Sequence, residues 1–254
     1  MSNIIFMIDI KNPEKPNRTD AYKYSISSWK RWGEKNDSKV VVLDEAFIDP
    51  TVMRPNWYKY HVFDLLESSG MEYDQILYVD SDTIVHPECP NFFDISEGKY
   101  CAVHNYGSYD WVFRSIENHS KHIFGGHQLP WERYINSGFQ IFNKDHRPFF
   151  DAILQFYTEN KEKLTWAQNT FSVGIDQPIC NFLLDMYKID MKLLPYEFNG
   201  QDIAMHEGLT EDCLFWEFVW VAHFNSIPNN HESKLSNAWM KHAYENVWGK
   251  YETD

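Results

Sequence analysis

The chain has 254 residues, is 43% hydrophobic and 17% aromatic with 10 Trp, and carries no Pro/Gly/Ser-rich linker, which excludes a disordered protein and favours one packed domain. Its formal net charge of -14 excludes a nucleic-acid binder, because phosphate backbones are held by Lys and Arg patches that this sequence lacks. An acidic protein that binds an anion must supply local positive charge, and a divalent cation is one way to do so.

Residues 4 to 10, IIFMIDI, predict a first strand ending near Asp9, before a polar loop with Pro13 and Pro16. Tyr22, Ile26 and Trp29 recur at helical spacing and predict a helix from about Asp20 to Asn36, and KVVVL, Lys39 to Leu43, predicts a second strand. After Pro50 and Pro55 a helix is expected from about Asn56 to Ser69, stopped by Gly70, with Trp57, Tyr60, Leu65 and Leu66 as its apolar contributors. The stretch QILYVDSDTIV then gives a buried strand, Gln75 to Val79, that runs straight into Asp80, Ser81 and Asp82. Strand, helix, strand, helix, strand implies right-handed crossovers, and with them a mostly parallel sheet and a Rossmann-like nucleotide-binding half.

Tyr100 to Arg133 is rich in aromatic residues, contains Gly107, Gly125 and Gly126, and has weak periodicity. It predicts a long irregular region over an active site, where a second substrate could stack on aromatic faces. His104, His119, His122 and His127 sit at neither HxxxH nor HxH spacing and read as surface or loop histidines. Tyr134 to Asn143, YINSGFQIFN, predicts a strand interrupted at Asn136, Ser137 and Gly138, where glycine marks either a bulge or the close approach of another group. A helix from about Pro148 to Lys163 follows, then a second that opens at Asp176 and Gln177 and runs to about Met186. Lys192 to Leu194 and Val219 to Phe224 are the last strands, the latter carrying His223. Leu235 to Tyr251 closes the chain as a helix, with Leu235, Trp239, Ala243 and Val247 at steps of four as the docking stripe.

On an extended chain, side-chain alternation points Asp80 and Asp82 to the same side, roughly 6 to 7 Å apart at their Cα atoms. Two carboxylates at the carboxyl end of a strand suit a hard divalent cation. A polar strand end or an Asx turn gives the same three letters. Likewise Asp176 reads as an N-cap and His223 as a satisfied core histidine when each is taken alone. Cys89, Cys101, Cys180 and Cys213 form no C-x-x-C pair and read as reduced core thiols, while the sequons at Asn17 and Asn118 are of the kind that arise by chance. Ile4 to Ile8 is too short for a signal-peptide core, and Cys213 to Phe224 is about half a membrane span and carries Glu217. The expectation is a soluble, cytoplasmic protein, at most peripheral to a membrane.

VDSD at 79 to 82, NSG at 136 to 138, DQ at 176 and 177 and HFN at 223 to 225 stand in one order. This series resembles the retaining GT-A glycosyltransferases, in particular family 8 (the glycogenin and lipooligosaccharide galactosyltransferase family), with similarity to family 34. The resemblance runs from roughly residue 4 to 225 and implies a GT-A domain with a nucleotide-sugar half at about 1–100, an acceptor and catalytic half at about 101–234, and a C-terminal helix at 235–254. It implies that Asp80, Asp82 and His223 ligate one Mn²⁺ or Mg²⁺, and two carboxylates with an imidazole suit manganese better. It further implies that Asp176 and Gln177, with Asn136 in the same NSG segment as Ser137 and Gly138, face the donor sugar beneath its anomeric carbon. Lys59 holds the donor sugar or phosphate, Ser81 lies between the two metal ligands, and Asp9 meets the base. The family's glycine and lysine-proline-tryptophan run after the histidine is replaced here by HFNSIPNNHESKL, which leaves Lys234 as the candidate phosphate clamp. The expected reaction is metal-dependent sugar transfer from a nucleoside diphosphate sugar, a UDP-sugar foremost, to a carbohydrate or other hydroxyl acceptor with retention. Two alternatives are a haloacid-dehalogenase-type phosphatase, whose nucleophile and acid/base pair is also Asp-x-Asp after an apolar strand, and a carbohydrate-binding homologue without turnover.

Overall fold

A computed structural model describes residues 2–11, 16–203, 212–227 and 230–249. Pro13 and the predicted end of the last helix at Tyr251 lie outside the described residues.

Strands β1 (Asn3–Ile8), β2 (Ser38–Leu43) and β3 (Gln75–Val79) form where the β-branched runs predicted them, linked by helix α1 (Tyr22–Lys35) and by a segment ending in α2 (Val62–Ser68). After the short strand β4 (Thr83–Val85) and helix α3 (Phe92–Ile95) come β5 (Tyr100–His104), α4 (Tyr109–His122) and β6 (Ile135–Asn143). Among the described residues, helices α5 (Arg147–Phe171) and α6 (Gln177–Met186), strands β7 (Met191–Leu194) and β8 (Val221–His223) and helix α7 (Lys234–Val247) follow. Six strands make one sheet in the order β2-β1-β3-β6-β5-β7, in which β6 alone runs antiparallel to its neighbours β3 and β5. The sheet is thus mostly parallel, and β4 pairs with β8 in a separate antiparallel ladder.

The central strands read as continuous apolar runs because both faces of the sheet are covered. Ile5, Met7, Leu77, Val79, Cys101, Val103, Phe139 and Ile141 face one core with Trp29, Trp32 and Phe92, on which α7 also docks. Ile4, Phe6, Ile76, Tyr78, Tyr100, Ala102 and Phe142 face the other, with Trp57, Tyr60, Phe63, Phe150, Ile153 and Leu183. All four cysteines are free and buried. Among the described residues no helix is long and apolar enough to cross a membrane.

Several elements depart from the sequence expectation. Tyr100 to Arg133 holds a fully buried strand and a 14-residue helix rather than an irregular region. The helical period is hidden because α4 buries Val112, Ser115, His119 and Ser120 and leaves Tyr109 and Phe113 about half exposed, at 50% and 48%. His104 and His119 are correspondingly buried rather than surface groups, donating through Nε2 and Nδ1 to the backbone oxygens of Trp131 and Ser115 at 2.9 and 2.8 Å. Pro55–His61 is a 3-10 segment, and four consecutive side chains, Trp57 to Tyr60, are buried, which no single helical face provides. Helix α5 runs past Lys163 because Leu164 and Ala167 extend its buried stripe. The docking face of α7 is Ser236, Met240, Ala243, Tyr244 and Val247, while Leu235 is exposed.

Candidate active site

Beyond Val79 the chain does not stay extended but turns at Ser81 and Asp82. The Asp80 amide still donates to Gly138 O at 2.9 Å, Ser81 Oγ donates to Ile8 O at 2.7 Å, and Thr83 Oγ1 donates to Asp80 O at 2.8 Å. Trp29 Nε1 on α1 donates to that same Thr83 Oγ1 at 2.9 Å, so a buried indole braces the turn. The turn, rather than strand alternation, is what converges the two carboxylates. The β4–β8 ladder pairs Thr83 with His223 and so carries the imidazole onto them. His223 Nε2 lies 3.2 Å from Asp82 Oδ1 and 3.8 Å from Asp80 Oδ2.

The donor chemistry fits a divalent cation: two carboxylate oxygens and an imidazole nitrogen lie within 4.8 Å of one another. A Cβ on Gly138 would stand 2.5 Å from Asp80 Oδ2 and 2.7 Å from His223 Cε1, so glycine lets the bulged strand pass beneath these two side chains without crowding them. The bulge is real as well: Ala102 pairs with Gln140 but Val103 with Asn136, which leaves Ser137 to Phe139 without partners on β5. Both sequence readings of this glycine therefore hold together. Asp80 Oδ1 accepts from Tyr78 Oη at 2.5 Å, and His223 Nδ1 bonds Asn199 Oδ1 at 2.9 Å. An amide oxygen can only accept, so Nδ1 carries a proton, and Nε2 is the ring atom that faces the carboxylates and would bind a cation once unprotonated. Burial pulls the His223 imidazole down, but Asp82 and Asp80 reverse that and leave its pKa raised. Burial pushes the Asp82 carboxyl up, and His223, with Arg18 behind it, brings it below its ordinary value.

From Asn199 a chain of amides leads to the other predicted residues. Asn199 Nδ2 donates to Asn136 Oδ1 at 3.1 Å, and Asn136 Nδ2 donates to Asn105 Oδ1 at 3.2 Å. Gln177 Nε2 donates to that same Asn105 Oδ1 at 3.2 Å, while Gln177 Oε1 accepts from the Ser137 amide at 3.0 Å. Asp176 is buried, and its Oδ2 takes Lys59 Nζ at 2.9 Å, Ser137 Oγ at 3.2 Å and Tyr60 Oη at 3.3 Å. Lys59, only 3% exposed, also donates to Ser137 O at 3.2 Å. Burial works against its charge and Asp176 restores it, leaving its pKa raised. Its ammonium thus faces Asp176, and the N-cap reading of Asp176 has no side-chain cap bond to support it.

The remaining predicted residues fall further out. Asp9 continues the β1 ladder through its amide to Leu43 O at 2.9 Å, and its buried Oδ1 has no hydrogen-bond partner. Burial and Asp44, against Lys11, raise its pKa. Lys234 is not brought to the cluster: its side chain is 73% exposed and its ammonium sits 2.9 Å from Glu232. Sequence reasoning missed Asn105, Asn199 and Arg18, and only Asn199, in LPYEFNG before a glycine, carried a visible cue.

A cavity of about 590 Å³ has Asp82, Arg18, Tyr22, Phe224, Asn225 and Ser226 among its lining. A second of about 180 Å³ shares Asn225 and Ser226 and adds Asn105, Asn136 and Gln177. A third of about 660 Å³ shares Gly107, Gln201 and Asp202 with the second and opens at Tyr106 and Tyr196.

The fold is similar to that of solved glycosyltransferases. One, involved in the glycosylation of the major capsid of PBCV-1, matches with a TM-score of 0.59 and 10% identity, over 95% of this chain and 100% of its own. Another, the apo form of GlyE from Streptococcus pneumoniae TIGR4, gives 0.53 and 14% over all of this chain, which spans 64% of that longer protein. No curated protein matches the chain. The sheet and its flanking helices thus define a GT-A glycosyltransferase fold. The model of glycosyl transferase family 8 matches residues 7–225, and the chain belongs to that family and is a glycosyltransferase. The phosphatase alternative and the binding homologue without turnover are set aside by that membership.

Proposed function

We propose that this glycosyltransferase is metal-dependent, holds one Mn²⁺ or Mg²⁺ on Asp80, Asp82 and His223, and transfers a sugar from a UDP-sugar to a carbohydrate hydroxyl with retention. The observation that carries this reading is the convergence of two carboxylates from one turn and an imidazole from a strand about 140 residues later, over a glycine at which a Cβ would crowd Asp80 and His223.

When bound, the cation supplies the positive charge that a departing nucleoside diphosphate needs. The chain's own residues do the rest. Asn199 fixes the His223 tautomer, and Asn136, Asn105 and Gln177 tie that imidazole to the sugar-facing end of α6. Three donors orient Asp176 through Oδ2, and its Oδ1 is then available to a donor-sugar hydroxyl or to the anomeric carbon. Retention rests on the family and fits either a covalent intermediate or front-side displacement. The orphaned Asp9 Oδ1 suits an N–H donor of the base.

The linked cavities support a donor half and an acceptor half in a single domain. The donor would lie from Tyr22 past Asp82 to Asn136, and the acceptor would enter by Tyr106 and Tyr196, whose rings are 5.3 Å apart. Tyr106, 45% exposed, offers a face for a sugar ring. The test is a panel of UDP- and GDP-sugars incubated with Mn²⁺, with release of nucleoside diphosphate as the readout. Release that needs Mn²⁺ and stops with EDTA is expected; release unaffected by EDTA overturns the metal-dependent reading.

A further inference from the structure

Resting on that reading, we propose that Arg18 is the diphosphate clamp of this enzyme, the role that the sequence alone assigned to Lys234. Lys234 is exposed and paired with Glu232, and Lys59 is buried against Asp176, so neither ammonium faces the cavity beside Asp82. Among the described residues lining that cavity, Arg18 is the only lysine or arginine. It stands on the 3-10 turn Pro16–Thr19 ahead of α1 and lines the cavity together with the carboxylate Asp82.

The guanidinium is directed without being used up. Its Nε donates to Tyr22 Oη at 3.3 Å, its only hydrogen bond among the described residues, which leaves the four N–H groups of its terminal nitrogens for a ligand. That forked pair matches two phosphate oxygens, which a lysine ammonium engages only as a point charge. Tyr22, Asp82 and Asp80 all favour its charged form, so the electrostatic field of the metal ligands reaches it. Charge balance calls for such a group. Two carboxylates and a neutral imidazole offset one divalent cation, and the diphosphate then brings negative charge of its own into a chain of net charge -14. A guanidinium lining the same cavity as Asp82 would supply that charge to the diphosphate.

The test is calorimetric titration of UDP, GDP and UMP in Mn²⁺ on wild type, Arg18→Ala, Arg18→Lys and Lys234→Ala, with melting curves as a check on folding. Wild type is expected to bind UDP or GDP. Arg18→Ala should lose roughly 10- to 100-fold for the diphosphate, the weight of charge-assisted hydrogen bonds, and little for UMP. Arg18→Lys should fall between them, because it keeps the charge and loses the fork. Arg18→Ala binding the diphosphate within twofold of wild type overturns the clamp, as does an equal loss for UDP and UMP, or a loss that appears in Lys234→Ala instead. Should wild type bind neither diphosphate in Mn²⁺, the nucleotide-sugar reading fails first, and Arg18 loses its proposed role with it.

Discussion

Lys59 and Gly138 are both held closely by their neighbours. Lys59 is buried with its ammonium on Asp176, and removing one member of such a pair strands the other charge in a dry site. Lys59→Met is expected to destabilise the fold by about 3 to 5 kcal/mol in urea unfolding, and Lys59→Met with Asp176→Leu should recover much of that. A single mutant as stable as wild type would show that the pair does not carry this load. Gly138→Ala acts differently, since its Cβ would press on the movable ends of Asp80 and His223 rather than on backbone. It should keep a near-normal melting temperature while Mn²⁺ affinity falls at least about tenfold, a size typical of disturbed ligand geometry. Asn199→Ala should lower Mn²⁺ affinity by about 10- to 100-fold through the freed His223 tautomer, and Mn²⁺ titration followed by electron paramagnetic resonance reads both.

Among the elements, α4 shows why helical period failed as a guide. Its buried face is largely Ser115, His119 and Ser120, so hydropathy points the wrong way round the helix. Burial takes the His119 pKa down to about 4, against its Ser115 backbone bond. A histidine whose folded pKa is depressed contributes stability that is whole above about 6.5 and is lost as pH falls toward 4. The full span is worth about 3 kcal/mol. Unfolding free energy measured across that window should drop in wild type and drop less in His119→Leu; equal slopes would contradict the assignment. Strands β1, β2 and β3 were legible because both their faces are apolar and each runs directly into an aspartate, Asp9, Asp44 and Asp80. The 3-10 start before α2 and the true face of α7 were not legible, because both depend on partners distant in the sequence.

At the scale of the molecule, the chain order of motifs announced Asp80, Asp82 and His223, but the sequence could not show how they meet. Alternation along β3 predicted two carboxylates side by side, and a braced turn produced that outcome by other means. The antiparallel β6 was invisible to a reading of strand-helix units, yet it pairs with β3 as far as Phe139 and so sets Gly138 beside Asp80. Arg18 was missed because the family pattern directed attention to a lysine after the histidine, while the cavity wall comes from the first loop. The proposed activity depends on one cation shared by β8 and the turn between β3 and β4. Mn²⁺ titration of wild type, Asp82→Ala and His223→Ala, with and without UDP, tests this most directly. One site strengthened by UDP in wild type and lost in both variants is the predicted result; undiminished Mn²⁺ binding in His223→Ala would contradict it.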